Sequence, residues 1–508
     1  MIQSSTSVTW EQVQAEFQAI WGYSTFRPPQ AEIIQCLLAQ KDALIVLPTG
    51  GGKSICFQLP ALLQSGLTLV ISPLIALMEN QVQELHQRQG RFRRQVALLH
   101  NELPAGQRRQ TLHSLERGEL RLLYLSPETL LSQAVWQRLC HPHLVITGLI
   151  LDEAHCLVQW GETFRPAYYR LGAVRSALLK HKPAASRMGI AAFTATADPD
   201  AQRTISQILR LNQPECFRVN PYRPNLDLAV QTVWSPRQRR QVLLKLAHTH
   251  RGKSGLVYVR SRRDSEELAD WLNQRGFETA AYHAGLGSET RRQIEALWLS
   301  NRLEFVICTC AFGMGINKPD VRWIAHYNPP SLLSEYVQEV GRAGRDGKPA
   351  VALTLISEPS GWLDNSDRQR WQFFASQAQQ QVRLAQHLAK KLPSQGTVDA
   401  VSRQFKDGAI ALSLLHKQGA LNWLDPFHYR IQSGKNSSNF HQSNLQASQQ
   451  MRHFLTSRQC RWQNLLLAFG FTQEGKDWRC GHCDRCRKSL SDPLMCPDFS
   501  GNPFGLNF

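Results

Sequence analysis

Two successive series of short, unbroken apolar runs constrain the fold of this chain more than any other feature. The first comprises ALIVL (43–47), TLVIS (68–72), LRLLYLS (120–126), LVITGLILDEAH (144–155) and GIAAFTATA (189–197). The second restarts with GLVYVRS (255–261), TAAYHA (279–284), FVICTC (305–310), VRWIAHYN (321–328) and AVALTLIS (350–357). Helical patterns separate the runs, which do not alternate apolar with polar residues. Strands of that kind are buried on both faces, the situation of a parallel sheet covered by helices. The fold class is therefore α/β, with two tandem doubly wound parallel-sheet domains at 1–220 and 221–358. The segment PYRPNLDLAVQ (221–231) reads as the link between them.

Beyond residue 358 the character changes to a mostly helical region (359–455), with a Gln-rich helical stretch over 363–392. From Pro426 to Gln473 there is no acidic residue, and SGKNSSNFHQSN (433–444) reads as a flexible polar loop.

The charge balance narrows the partner. The chain of 508 residues has a formal net charge of +18 and a pI of about 9.6, which favours a polyanion without choosing between DNA and RNA. The N-terminus has no basic head followed by an apolar run, and no stretch reaches the roughly 18 apolar residues of a membrane helix. Twelve cysteines in a chain without a secretory signal argue against a disulfide framework. The expectation is a cytoplasmic protein (nucleoid-associated if bacterial), monomeric and without a membrane partner.

LPTGGGKS (47–54) follows a strand and opens a helix, the context of a phosphate-binding loop. Thr49, Gly50, Gly51 and Gly52 turn backbone N–H groups toward phosphates, Lys53 adds a point charge, and the Ser54 hydroxyl can ligate Mg²⁺. The strict pattern has glycine where Leu47 stands. LILDEAH (149–155) ends a buried strand with Asp152, placed to hold Mg²⁺, and Glu153, placed to orient or deprotonate water. The pair converts a nucleotide loop into an NTP-hydrolysing site. Upstream, Tyr23 or Arg27 can stack on a base and the Gln30 amide can read an adenine edge; by chemistry alone this is equally an ordinary helix start. In SEYVQEVGRAGRDGKP (334–349), Gln338, Arg342 and Arg345 fall at i, i+4, i+7, so one helix would put all three on one face. Two arginines so placed suit charge stabilisation during phosphoryl transfer.

Cys460 is followed after 19 residues by Cys480, and Cys483 and Cys486 complete two CxxC spacings. Four thiolates fit a closed tetrahedral zinc site within a module at 456–490, followed by a tail at 491–508. An iron–sulfur reading is the minor one, because the gap to Cys496 is too long for the ferredoxin pattern.

Together these segments resemble superfamily 2 helicases, and within them the RecQ family of DNA helicases. The ordered matches include GYSTFRPPQ, PTGGGKSICFQ, VISPLIALMENQV, LYLSPE, DEAHCLVQWGETFRPAY, FTATA, YVRSRRDSEELA, YHAGL, TCAFGMGINKPDVRWIAHYNPP and YVQEVGRAGRDG. The resemblance implies two RecA-like motor domains that use ATP to move 3′ to 5′ on single-stranded DNA and unwind duplex or forked DNA, in recombination and repair. It implies adenine binding by Tyr23, Arg27 and Gln30, phosphate and magnesium work by Lys53, Ser54, Asp152 and Glu153, and completion of the site by Arg342 and Arg345. His155 and Gln338 would couple hydrolysis to domain closure. The loop CLVQWGETFRP (156–166) would sense single-stranded DNA, with Trp160 and Phe164 stacking bases and Arg165 meeting a phosphate. The zinc preference also follows from the family, which carries such a module after its motor. A DNA-stimulated ATPase acting as a switch or annealing factor is the alternative, and an RNA helicase is disfavoured by that loop.

Two features depart from the family. Only 22 residues follow Cys486, where relatives usually place a winged-helix domain and often a small helical domain. Conversely, about a hundred residues separate the motor from Cys460. Within them, residues 397–432 read as helix, helix, Gly turn and hairpin, a winged-helix-like unit at about 395–432. Its second helix or wing would contact DNA, or the unit would be a helical buttress.

Overall fold

The computed structural model describes residues 8–159, 165–312, 316, 318–432 and 440–487. The chain divides into two compact units, one of residues 1–220 and 375–444, the other of 221–374 and 445–508.

The first unit is built on seven parallel strands: β1 (Ala43–Val46), β2 (Leu67–Ile71), β3 (Val96–Leu99), β4 (Leu122–Leu125), β5 (Ile146–Leu151), β6 (Gly189–Thr194) and β7 (Glu215–Arg218). Their order is β3-β4-β2-β5-β6-β1-β7. Successive residues of β1 feed opposite cores, Leu44 and Val46 one and Ala43 and Ile45 the other, so both faces are buried. That is the physical reason its sequence shows no alternation. Two strands had no such signal, and they are the two edges of the sheet: β3 is only partly buried, and β7 (ECFR) is mostly exposed.

The second unit carries six parallel strands: β8 (Leu226–Val233), β9 (Gly255–Tyr258), β10 (Thr279–Tyr282), β11 (Phe305–Cys308), β12 (Trp323–His326) and β13 (Ala350–Ser357). Their order is β10-β11-β9-β12-β13-β8. Here the structure corrects the reading of 221–231 as a link, since from Leu226 onward it is the edge strand, paired with β13 along its whole length.

The free side of β8 is closed by the cysteine module of the same unit. Asp484 N–H donates to Leu228 O at 3.1 Å, the Asp484 carboxylate accepts from Val230 N–H at 3.3 Å, and Trp462 Nε1 donates to Leu226 O at 3.1 Å. Edge backbone groups that would otherwise invite pairing are thereby satisfied. The fully buried Arg461 pairs with both Asp484 oxygens at 2.8 Å, holding that loop in place.

Residues 395–431 form a third, antiparallel sheet: β14 (Gln395–Thr397), β15 (Leu421–Trp423) and β16 (His428–Ile431), in the order β14-β16-β15. Helices Val398–Gln404 and Gly408–Lys417 separate β14 from the hairpin, which is winged-helix connectivity. Gly408 permits the helix crossing, because a Cβ there would lie 2.8 Å from Val401 O. The second helix is not free to read DNA. Ser413 Oγ donates to Pro166 O at 3.2 Å, and Ala173 shares the module's apolar core. The hairpin is engaged as well: Arg170 Nη1 donates to Pro426 O at 3.3 Å, Arg210 Nη2 to Trp423 O at 2.7 Å, and Phe427 meets Trp136 edge-on at 5.1 Å. The second helix thus takes the buttress role, while the hairpin packs on the first unit by one side and exposes Asn422, His428 and Arg430 on the other.

The Gln-rich stretch is the helix Ser366–Ala389. The expected flexible loop 433–444 ends in the start of the helix Phe440–Thr456, and its residues 433–439 lie outside the described residues, as does the tail. No helix among the described residues is long and apolar enough to cross a membrane.

Candidate functional site

The phosphate loop runs from β1 to the helix Lys53–Leu63. Gly50 and Gly52 hold φ of 83° and 73°, the left-handed region that favours glycine. At Gly52 a Cβ would lie 2.3 Å from Gln30 Nε2. Gln30 is buried, its Oε1 accepting from Arg27 N–H at 3.0 Å and its Nε2 donating to Gly51 O at 3.3 Å. The amide assigned to a base edge is thus braced against the loop itself. Tyr23 and Arg27 are exposed on the same segment, while Thr49 and Ser54 are partly buried on the loop. Lys53 Nζ donates to Leu47 O at 3.3 Å.

The acidic pair follows β5. Asp152 is buried and accepts from Gln81 Nε2 at 3.1 Å and from Glu153 N–H at 3.0 Å. Burial, then the neighbouring Glu153 charge, push its carboxyl up to about 6, with Lys53 pulling the other way. A carboxylate that ionises at such cost suits a cation. Glu153 sits at φ 52°, a strained conformation for a non-glycine residue. Its Oε2 lies 3.2 Å from His155 Nδ1, which is 3.4 Å from Thr194 Oγ1 at the end of β6. Burial opposes charge on His155, but Cys156 and Glu153 beside it outweigh this and raise it to about 10. Thr194 Oγ1 donates to Thr196 O and accepts from Thr196 N–H, each at 3.1 Å. The carboxylates are therefore wired to the FTATA segment. Gln81 and Thr194 had no assigned role from sequence, although both stand in ordered motifs.

In the second unit the structure revises one geometry. The helix Leu333–Val340 ends before Gly341, so Gln338 is helical while Arg342 and Arg345 lie in the turns that follow. One helical face for all three is excluded. Between the two arginines Gly344 turns the chain at φ 57°, its carbonyl accepting from Asn225 Nδ2 at 2.8 Å and its missing Cβ leaving room for Lys348 O. Arg342 is buried, and Arg345 Nη1 donates to Ile316 O at 3.3 Å. Beneath them lies an ion pair that sequence reasoning missed. Arg260 donates to both Glu339 oxygens at 3.1 and 2.9 Å, and His326 Nε2 stands 2.9 Å from the same carboxylate.

Of the residues expected to sense DNA, Trp160 and Phe164 lie outside the described residues. Arg165 precedes the 3₁₀ segment Pro166–Ala173 and pairs with Glu128 at 3.5 Å.

Cys460, Cys480, Cys483 and Cys486 bring their four Sγ atoms within 4.8 Å of one another. The Cys480–Cys486 and Cys460–Cys483 separations are 3.9 and 3.8 Å, and Zn–S bonds of about 2.3 Å in a tetrahedron require about 3.8 Å. The set fits Zn²⁺ with no open position. The helix Arg461–Ala468 packs beside it.

Residues 27–204 match the DEAD/DEAH box helicase family, 238–347 the helicase conserved C-terminal domain, and 425–487 the RecQ zinc-binding family. A Synechocystis protein described as ATP-dependent DNA helicase RecQ is 51% identical over 476 residues, covering 94% of this chain and 98% of that one. The chain belongs to the RecQ family of ATP-dependent DNA helicases. The Pasteurella multocida RecQ is 38% identical over 68% of this chain, which spans about half (52%) of that relative. Among solved structures, Mycobacterium smegmatis helicase Lhr bound to ssDNA and AMP-PNP matches at TM-score 0.55 and 20% identity, covering 86% of this chain and 61% of that one. Yeast Dbp5 bound to RNA and ADP BeF3 matches at 0.54 and 15%, over 72% of this chain and 93% of that one. These two likenesses speak for the fold alone.

Proposed function

We propose that this RecQ-family protein hydrolyses ATP to move 3′ to 5′ along single-stranded DNA and to unwind duplex or forked DNA, as a monomer, in recombination and repair. The observation that supports the hydrolytic core is the buried Asp152, whose carboxyl feels the Lys53 charge and which is followed by the Glu153–His155–Thr194 chain. Lys53 and the loop N–H groups would grip the phosphates, and Tyr23, Arg27 and Gln30 would hold adenine. Ser54 and Asp152 would hold Mg²⁺, which supplies neutralisation of the phosphate charge. Glu153 orients and deprotonates the water attacking the γ-phosphorus, while the bond to the β-phosphate bridging oxygen breaks and ADP leaves. Arg342 and Arg345 are assigned the charge that develops in transfer, and Gln338 the coupling. Trp160, Phe164 and Arg165 are assigned contacts to bases and phosphate.

A labelled-fork assay with 3′ or 5′ tails, with Lys53→Ala as the inactive control, tests the whole reading. ATP-dependent strand separation only with a 3′ tail supports it; separation only with a 5′ tail overturns the polarity. A DNA-stimulated ATPase that binds or anneals strands without separating them is the second reading. It is favoured by the covered second helix of the winged-helix unit, and DNA-stimulated hydrolysis without unwinding would select it.

A further inference from the structure

The two largely exposed tryptophans among the described residues, Trp234 (55% exposed) and Trp362 (91%), belong to neighbouring segments of the second unit. Trp234 follows the last residue of β8 and Glu358 the last residue of β13, and Glu358 N–H donates to Val233 O at 3.0 Å. The two chains therefore leave the carboxyl edge of the sheet side by side, which is where open α/β sheets receive ligands. Leu363 beside Trp362 is 64% exposed.

The exposure belongs to a built turn. Glu358 accepts from Ser360 N–H at 2.6 Å, from Ser360 Oγ and from Leu363 N–H at 3.1 Å, and Trp362 N–H donates to Ser360 Oγ at 3.2 Å. Gly361 supplies the left-handed residue at φ 70°. Below it, the buried Arg239 reaches Asp364 and Asp367 at 3.1 Å each and Ser357 Oγ at 2.8 Å. The acids of residues 358–370 are all consumed in this way, whereas the exposed charges of 234–240 and 358–370 are Arg237, Arg240 and Arg368. Aromatic faces held open among arginines, with the acids of 358–370 turned inward, match an anionic ligand that carries flat rings.

We propose that Trp362, with Trp234 and Leu363 beside it, is a base-stacking platform for single-stranded nucleic acid whose phosphates meet Arg237 and Arg368. This rests on the DNA-translocating reading above and adds a contact on the second unit to the one assigned to the loop at 156–166 of the first. Stacking of one base is worth a factor of about ten or more in affinity.

The test uses the full chain, fluorescein-labelled oligodeoxythymidine and an abasic oligomer of the same length, with binding read by anisotropy. Trp362→Ala should weaken binding of the thymidine probe about tenfold, Trp362→Phe should restore most of it, and neither change should alter binding of the abasic probe. The DNA-free ATPase rate and thermal midpoint of both variants should match those of the parent, since the ring touches so little of the protein. Photocrosslinking with 5-iodouracil should label the peptide that holds Trp362. Unchanged thymidine affinity in Trp362→Ala overturns the platform, as does an equal loss on both probes. So does loss of a self-associated species in sedimentation, which would make the patch a protein contact. A parent protein that binds neither probe would instead sink the DNA-translocating reading.

Discussion

At the level of single residues, the nucleotide loop depends on one missing methyl group. Gly52→Ala would drive a Cβ into the Gln30 amide at a backbone angle that L residues avoid, so nucleotide binding should be lost. A fluorescent ATP analogue titrated against the variant checks this, and parental affinity would show that the loop tolerates a Cβ there. The Arg260–Glu339–His326 cluster makes a second residue-scale prediction. Burial alone would raise the Glu339 carboxyl, but Arg260 and then His326 carry it down to about 2 from its ordinary 4.5. A depressed carboxyl contributes stability that is present above its unfolded pKa and is lost as pH falls from 4.5 toward 2. Glu339→Gln should therefore cost about 3–5 kcal/mol at neutral pH, because Arg260 is left buried and unmatched. In denaturant titrations the gap from the parent should narrow below about pH 4.5; a constant gap would mean the carboxylate charge is not what stabilises this site.

Among elements, the winged-helix unit is the clearest case of a motif turned to another use. Its second helix and hairpin face the Pro166–Ala173 segment and Trp136, and Ala173 completes its core. Phe427→Ala should weaken that docking by about 1–3 kcal/mol through lost burial and the lost aromatic pair. Hydrogen exchange should then accelerate across 395–431 while the helix Lys53–Leu63 keeps its protection. Forked-duplex affinity should stay at the parental value, and a large fall would return the unit to direct DNA binding. Residues 397–432 showed the order of the unit and left DNA contact and buttress both open, because helix order and a Gly turn specify a motif but not the surface that buries it.

For the molecule as a whole, the zinc cysteines and the edge of the second sheet form one structure. Chelation of zinc, or Cys483→Ser, should release the 480–487 loop, expose the outer backbone of β8 and lower the unfolding temperature of the second unit. Exchange at Val230 N–H reports it directly, and the strands around the phosphate loop should be unaffected; an unchanged β8 would detach metal from edge protection. Short-range pattern is what a chain carries before it folds. Unbroken apolar runs announced two parallel sheets, a glycine-rich turn between strand and helix announced the phosphate loop, and CxxC spacing announced the metal set. Tertiary structure alone decided the through-space partnerships. Gln81 reaches Asp152 across 71 residues and Trp462 reaches Leu226 across 236, and no local pattern marks either pair. The same holds for β8, which read as a linker because its polar positions face a cover supplied by distant chain. It holds too for Arg342, which is buried just beyond the end of its helix. Local chemistry is written in spacing, whereas the surface that each element covers is chosen only when the chain closes on itself.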